Sequence, residues 1–230
     1  MPSASAVLLD AGGVFLLPSP DVMLPPLRAA GVQPSMPVLE RAHYKAIAAL
    51  ESAPEPGRWA AYLRAYASAC GVPEPRAGAV AADFERAFAG TAGSTWQHIA
   101  SGSIGGLREI AALGVPLAIV SNSNGTVEQE LAELGICQTG PGDGIEVGAV
   151  IDSAVVGVAK PDPRIFGLAL EKLGIGRDGV VHVGDTVCFD VDGGQAAGIR
   201  PIHLDPYGDC PVPDGHEHIR RLADLPPLVR

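Results

Sequence analysis

LLDAGGVF, residues 8–15, carries an apolar run into Asp10, follows it with small residues and then turns apolar again. With the residues before it, SAVLL (5–9), it reads as a buried strand that stops at Asp10 in a flexible turn. A different texture follows. From about Pro18 to Gly93 the chain is Ala-rich with helical period, as in MPVLERAHYKAIAALES, GRWAAYLRAYASAC and AGAVAADFERAFAG, with Pro/Gly breaks at 54–57 and 71–75. From Gly105 helix and strand alternate: helix GLREIAALG, strand PLAIVS, helix TVEQELAELG, strand IEVGAVI, helix PRIFGLALEKLG, strand VVHVG, a short helix near VDGGQAAG and strand RPIHL. Alternation with short loops signals crossovers and a parallel sheet covered on both faces. The expected fold class is therefore α/β, a Rossmann-like doubly wound parallel sheet formed by residues 1–16 and 94–230. An α-helical module, residues 17–93, is inserted after the first strand.

The 230 residues suffice for one large domain or a domain plus a smaller module, and 47% hydrophobic with 18% charged is an ordinary globular balance. A formal net charge of −10 with only three lysines, Lys45, Lys160 and Lys172, argues against nucleic acid or a membrane surface as partner. No apolar stretch approaches the roughly 20 residues of a membrane span, and no basic residue precedes the short apolar run near the N-terminus. A cytoplasmic protein is expected. Cys70, Cys137, Cys188 and Cys210 lie far apart, with no C-x-x-C pair and no His at ligand spacing, and read as reduced thiols. His216 and His218, in HEH, read as part of a polar tail, and His182 as a core histidine satisfied by a neighbour. TGPGDG (139–144) reads as a solvent loop and SGSIGG (101–106) as a flexible hinge.

In parallel sheets ligands bind beyond the carboxyl ends of the strands. Asp10, Ser121-Asn122, Asp152, Asp185 and Asp205 each follow a strand and so share one edge, which the inserted helices are placed to cover. Lys160, in GVAKPDPRIF, adds a cation just before a helix, where Asp162 reads as an N-cap, and GDTVCFD adds Asp185 and Asp190. Three neighbouring carboxylates repel one another unless they share a cation. Mg²⁺, a hard ion with oxygen ligands, resolves that conflict and also neutralises a phosphoryl group. Lys160 can keep Asp10 ionised and hold a phosphate oxygen.

The order and spacing of VLLDAGGV, AIVSNS, GVAKPDPRIF and VVHVGDTVCFDVDGGQAAGI resemble the four motifs of the haloacid dehalogenase-like (HAD) hydrolase superfamily, in the subgroup with a helical cap after the first strand. The motifs lie across residues 7–199. The resemblance implies that Asp10 is the nucleophile of an aspartyl-phosphate and that Lys160 holds both Asp10 and the phosphate. It implies phosphoryl binding by Ser121 and Asn122. It also implies a Mg²⁺ site made by Asp10, the Gly12 carbonyl, Asp185 and, directly or through water, Asp190. Most members are phosphatases of small metabolites.

One position departs from that pattern. Phosphatases of the family usually carry a second aspartate two residues after the nucleophile, to protonate the leaving alkoxide, and this chain has Gly12. General acid–base help is typically worth roughly 10²–10⁴ in rate. The expected function is a Mg²⁺-dependent phosphatase of a small phosphorylated metabolite, a monomer or homodimer, with a cap residue or water replacing the acid or with substrates whose leaving groups need little protonation. His43, Tyr44 and Glu51 are the candidates for that replacement. The alternatives are a haloacid dehalogenase with Arg41 on a substrate carboxylate, a phosphonatase with Lys45 forming an imine, or a catalytically weak phospho-ligand binding or regulatory protein.

Overall fold

The computed structural model describes residues 4–91 and 95–229. Its strands are β1 (Ala6–Leu9), β2 (Leu16–Pro18), β3 (Trp96–Ile99), β4 (Leu117–Ser121), β5 (Cys137–Thr139), β6 (Ile145–Val147), β7 (Ala149–Asp152), β8 (Val180–Gly184), β9 (Arg200–Leu204) and β10 (Glu217–Ile219). The helices are α1 (Pro20–Ala29), α2 (Met36–Ser52), α3 (Arg58–Ala69), α4 (Glu74–Gly90), α5 (Ser103–Ala111), α6 (Val127–Glu133), α7 (Ser153–Val156), α8 (Arg164–Leu173), α9 (Asp192–Ala196) and α10 (Pro226–Val229). The chain divides into two compact units: Met1–Phe15, Ile99–Pro206 and Asp214–Arg230 form one, Leu16–His98 and Tyr207–Pro213 the other. The expected boundary between 93 and 94 lies outside the described residues.

The first unit is built on a six-stranded sheet in the order β10-β9-β8-β1-β4-β7, every pair parallel. All four residues of β1 are buried, as a strand covered on both faces requires. On one face Ile165, Phe166 and Ala169 of α8 pack with Ala6, Leu8, Ala118, Val120 and Ile151. Each large side chain so buried stabilises the fold by about 1.5–3 kcal/mol. From β1 the chain runs through β4 to β7 on one side, then returns to β8, β9 and β10 on the other. The carboxyl end of β1 is thus the switch point, where such sheets open a crevice for ligands.

Three local expectations are corrected. IEVGAVI is two strands, because Gly148 separates β6, paired with β5, from β7 in the main sheet. A Cβ at Gly148 would lie 2.4 Å from Leu173 Cδ2, so any other residue there requires that side chain of α8 to move. SGSIGG is no hinge, since Ser103 begins α5 and Gly106 lets that helix press against Leu222, 2.5 Å from where a Cβ would stand. HEH is no tail segment either, for His218 lies in β10 opposite His203 of β9. TGPGDG connects β5 and β6, and Gln138 braces it by bonds to Gly140 and to both backbone groups of Gly144.

The second unit is mainly helical. α2, α3 and α4 are separated at the Pro/Gly-bearing stretches, and Tyr62, Tyr66 and Phe84 are fully buried among them. Among the described residues, no helix is long and apolar enough to cross a membrane.

Candidate active site

Asp10 follows the last residue of β1, and Leu9 is in register with Ile119 of β4 and Val183 of β8. Parallel pairing therefore delivers Asp10, Ser121 and Asp185 to one edge from three adjacent strands. The Asp10 N–H donates to the Val183 carbonyl at 2.9 Å, and Asp10 Oδ1 accepts from the Ala11 N–H at 2.7 Å. Lys160 Nζ lies 2.8 Å from Asp10 Oδ2 and 2.7 Å from Asp190 Oδ1. Its side chain and that of Asp190 are each only 1% exposed, so these charges meet away from bulk water.

Asp190 is the hub of the buried network. Its Oδ1 accepts from Lys160 and from His182 Nε2 at 2.9 Å, while Oδ2 accepts from the Thr186 N–H at 3.1 Å and from the Thr186 hydroxyl. These four bonds use the roughly four lone-pair sites of a carboxylate. Asp190 thus fixes Lys160 more directly than it offers itself to a metal. The chain enters this arrangement through a π-helical turn, Val187–Val191, whose wider winding carries Asp190 back over β8. Gly184 makes that possible, because a Cβ there would lie 2.1 Å from Asp190 Cγ. His182 is only half satisfied: Nε2 holds the proton donated to Asp190, and Nδ1 is buried without a hydrogen-bond partner among the described residues. The Phe166 ring stands edge-on to it, with centroids 4.8 Å apart.

Asp185 closes against the turn after β1. Gly13 has φ +68°, and a Cβ on it would lie 1.9 Å from Asp185 Oδ2, so this position demands glycine on both backbone and contact grounds. Gly12, one residue earlier, is half-buried. Oxygens of Asp10, Asp185 and Asp190 lie within 4.8 Å of one another, and Lys160 is the cation bonded among them. Burial pushes the Asp10 carboxyl up, Lys160 pulls it down, and Asp190 and Asp185 push it up again, for a pKa of about 6. Burial also opposes ionisation of Asp190, but Lys160 and His182 outweigh it and hold its carboxyl well below the usual range. Lys160 is raised despite burial by its two carboxylate partners. An excess of buried negative charge, with oxygen donors only, fits a hard divalent cation such as Mg²⁺.

Ser121 ends β4 and is buried. The Asn122 amide does something that reading the sequence as a phosphate binder missed: it grips Lys160 by both backbone groups, accepting from its N–H at 2.8 Å and donating to its carbonyl at 3.0 Å. Asp152 is taken up in local structure, capping α7 through Ala154 N–H and accepting from the Gly125 N–H. Asp162 is corrected as the N-cap of α8: that position is taken by Pro163, and Asp162, one residue earlier, accepts from the Arg164 N–H at 3.0 Å and pairs with its guanidinium.

The candidates on α2 belong to the second unit. His43 is corrected as a proton donor: it is 1% exposed, bonded to the Tyr62 hydroxyl at 2.9 Å, and burial lowers its pKa to about 3. Arg41 is engaged within its own unit, paired through two nitrogens with Asp209 and stacked 4.3 Å over the Tyr207 ring. Tyr44 is buried beside Tyr207, Lys45 is exposed, and Glu51 is half-buried. His182 is the buried histidine expected from its strand, with Asp190 as its neighbour, whereas Thr186 carried no sequence signal beyond its closeness to Asp185.

A family model described as haloacid dehalogenase-like hydrolase matches residues 5–198. The human haloacid dehalogenase-like hydrolase domain-containing protein 3 is 34% identical over 59% of this chain and 53% of its own length. A Thermus thermophilus phosphoserine phosphatase is 32% identical over 43% of this chain and 37% of its own. The chain spans about half, or less, of the curated relatives it matches. Among solved structures, the Bacillus subtilis protein YfnB bound to magnesium superposes with a TM-score of 0.60 at 18% identity, covering 99% of both chains. At that identity the likeness speaks for the fold.

Proposed function

Because the chain belongs to the haloacid dehalogenase-like hydrolase family, we propose that it is a phosphatase of a small phosphorylated metabolite, acting through an aspartyl-phosphate on Asp10. The observation that carries this reading is the Asp10–Lys160 contact at 2.8 Å at the sheet's switch point, with Asp185 and Asp190 grouped around it. The phosphoserine phosphatase relative supports a phosphoryl substrate. The grouped carboxylate oxygens support Mg²⁺ as the ion held there. Asp10, Asp185 and the Gly12 carbonyl would hold the ion, which supplies charge neutralisation for the phosphoryl oxygens.

In this reading Asp10 attacks phosphorus in line with the departing oxygen. Ser121 and Lys160 bind the phosphoryl oxygens, and Lys160 also offsets the charge on Asp10. Asn122 acts one step back, by clamping the Lys160 backbone. Water then hydrolyses the aspartyl-phosphate and restores the carboxylate. Gly12 offers no side-chain proton to the leaving group, and buried His43 does not replace it. The enzyme therefore favours substrates whose leaving group departs with little protonation, such as acyl or aryl phosphates. A cytoplasmic protein, working as a monomer or homodimer without nucleic acid or membrane partners, belongs to the same reading, supported by the net charge of −10.

The test is a panel of phosphomonoesters, acyl phosphates, phosphonoacetaldehyde and 2-haloacids, run with and without Mg²⁺ on wild type and Asp10→Asn. Phosphate release that needs both Mg²⁺ and Asp10 supports the proposal. Halide release indifferent to chelation overturns it.

A further inference from the structure

A second group of metal-type ligands stands beside the carboxylate site, within the same unit. β9 and β10 pair in parallel with His203 opposite His218, and His216 lies just before β10. The ring centroids are 5.1 Å apart for His203 and His218, 5.3 Å for His203 and His216, and 4.4 Å for His216 and His218. One ligand nitrogen from each lies within 4.8 Å of the others.

The protonation of His203 follows from its neighbours. It is 4% exposed, and its Nε2 lies 2.9 Å from the Asp185 backbone carbonyl. A carbonyl only accepts, so Nε2 carries the hydrogen and Nδ1 the lone pair. Metal-ligating histidines are typically oriented in this way, donating the other ring N–H to a carbonyl or carboxylate. His203 Nδ1 faces His216 Nε2 at 3.2 Å. Two nitrogens on a tetrahedral ion with metal–nitrogen bonds of about 2.0–2.1 Å stand about 3.3 Å apart, so this pair already has the edge length of such a site. Asp205 Oδ2 is 3.8 Å from His218 Nδ1, adding a carboxylate at the margin.

We propose that His203, His216 and His218 form a binding site for a divalent transition-metal ion of the Zn²⁺ class, separate from the carboxylate site. Three imidazoles select such an ion over Mg²⁺, which prefers oxygen ligands. The ion takes the place of the hydrogen between His203 Nδ1 and His216 Nε2, and His216 stays neutral by carrying its hydrogen on Nδ1. The Asp185 peptide then joins the two sites, its carbonyl held by His203 and its side chain among the acids.

The test is titration of Zn²⁺ into the untagged full chain with millimolar Mg²⁺ present, repeated with Co²⁺ to read its visible absorption. The expected result is one Zn²⁺ per chain and a tetrahedral Co²⁺ spectrum. Both are retained in Asp185→Asn, weakened on the order of 10-fold or more in His218→Gln, and abolished in His216→Gln/His218→Gln. Both of these histidines are only partly buried, so the variants test binding without emptying the core. Absence of Zn²⁺ binding, or binding that survives the double variant and disappears with Asp185→Asn, overturns the proposal.

Discussion

Asn122 and Lys160 form a reciprocal clamp: the asparagine Oδ1 accepts from the Lys160 N–H at 2.8 Å and its Nδ2 donates to the Lys160 carbonyl at 3.0 Å. The two residues are 38 apart in sequence, and the clamp ties the end of β4 to the loop that carries Lys160, the cation bonded to Asp10. The ammonium is thereby set from both ends, by the clamp at its backbone and by Asp190 at its tip.

Asn122→Ala removes both bonds while leaving every charged group in place. Loss of two partly buried hydrogen bonds should cost about 1–3 kcal/mol of stability. Misplacing Lys160 should lower kcat on the order of 10²-fold. Urea unfolding and steady-state kinetics check this, and unchanged kcat would show that the Lys160 backbone needs no clamp.

Lys160→Met leaves Asp10 and Asp190 buried without their shared cation. Breaking a buried ion pair from one side typically costs about 3–5 kcal/mol. Part of that should return at low pH, where Asp10 protonates. Lys160→Arg is not expected to rescue activity, because a planar fork does not fit a site made for a compact point charge between two carboxylates. Urea midpoints across pH, beside activity assays, read both outcomes.

The Asp10 carboxyl, raised to about 6 by burial and by the neighbouring carboxylates against the pull of Lys160, should set the pH dependence of Mg²⁺ binding. The ion needs the carboxylate, so below about 6 each binding event must release a proton. Apparent affinity should then fall about tenfold per pH unit on the acid side and level off above. Calorimetric titration across this range would show a flat profile if Asp10 were not a ligand.

His43 governs a separate acid transition in the helical unit. Its pKa falls from 6.5 to about 3 on burial, with Glu40 opposing, so the folded protein binds fewer protons than the unfolded chain between those values. Its contribution to stability is complete above 6.5 and is lost as pH falls toward 3, by about 1.4 kcal/mol per pH unit inside the window. His43→Phe should flatten the stability profile there. Equal slopes for variant and wild type would contradict the buried neutral imidazole.

Gly12→Asp supplies the carboxyl that the first motif lacks. Turnover of alkyl phosphates, which have poor leaving groups, should rise by roughly 10²-fold or more, while acyl phosphates change little. A gain of the same size on both substrate types would show that the glycine's effect has nothing to do with leaving-group protonation.

The architecture was largely legible because its signal is local. LLDAGGVF marks a strand that ends at an acid, and period changes at Gly105 mark the alternating half. The shared edge of Asp10, Ser121 and Asp185 followed from parallel pairing alone. What escaped depends on packing between distant segments. IEVGAVI divides at Gly148 because β6 pairs with β5 and β7 with β4, and β10 is a three-residue edge strand, too short to show alternation. The saturation of Asp190 by Lys160, His182 and Thr186 needs a π-helical turn that spacing does not announce, and the pairing of His203 with His218 needs the register of two strands. His43 looked like a catalytic histidine because helical periodicity does not say how completely a helix face is covered.

The most direct test of the central claim is to trap the phosphoryl group on the protein. Wild type is mixed with an acyl phosphate and Mg²⁺, quenched in acid, reduced with borohydride and mapped by peptide mass. The account predicts reduction at Asp10 alone, dependent on Mg²⁺ and on substrate, and neither reduction nor phosphate release in Asp10→Asn. Phosphate release that continues in Asp10→Asn, or turnover of wild type without modification of Asp10, would contradict it.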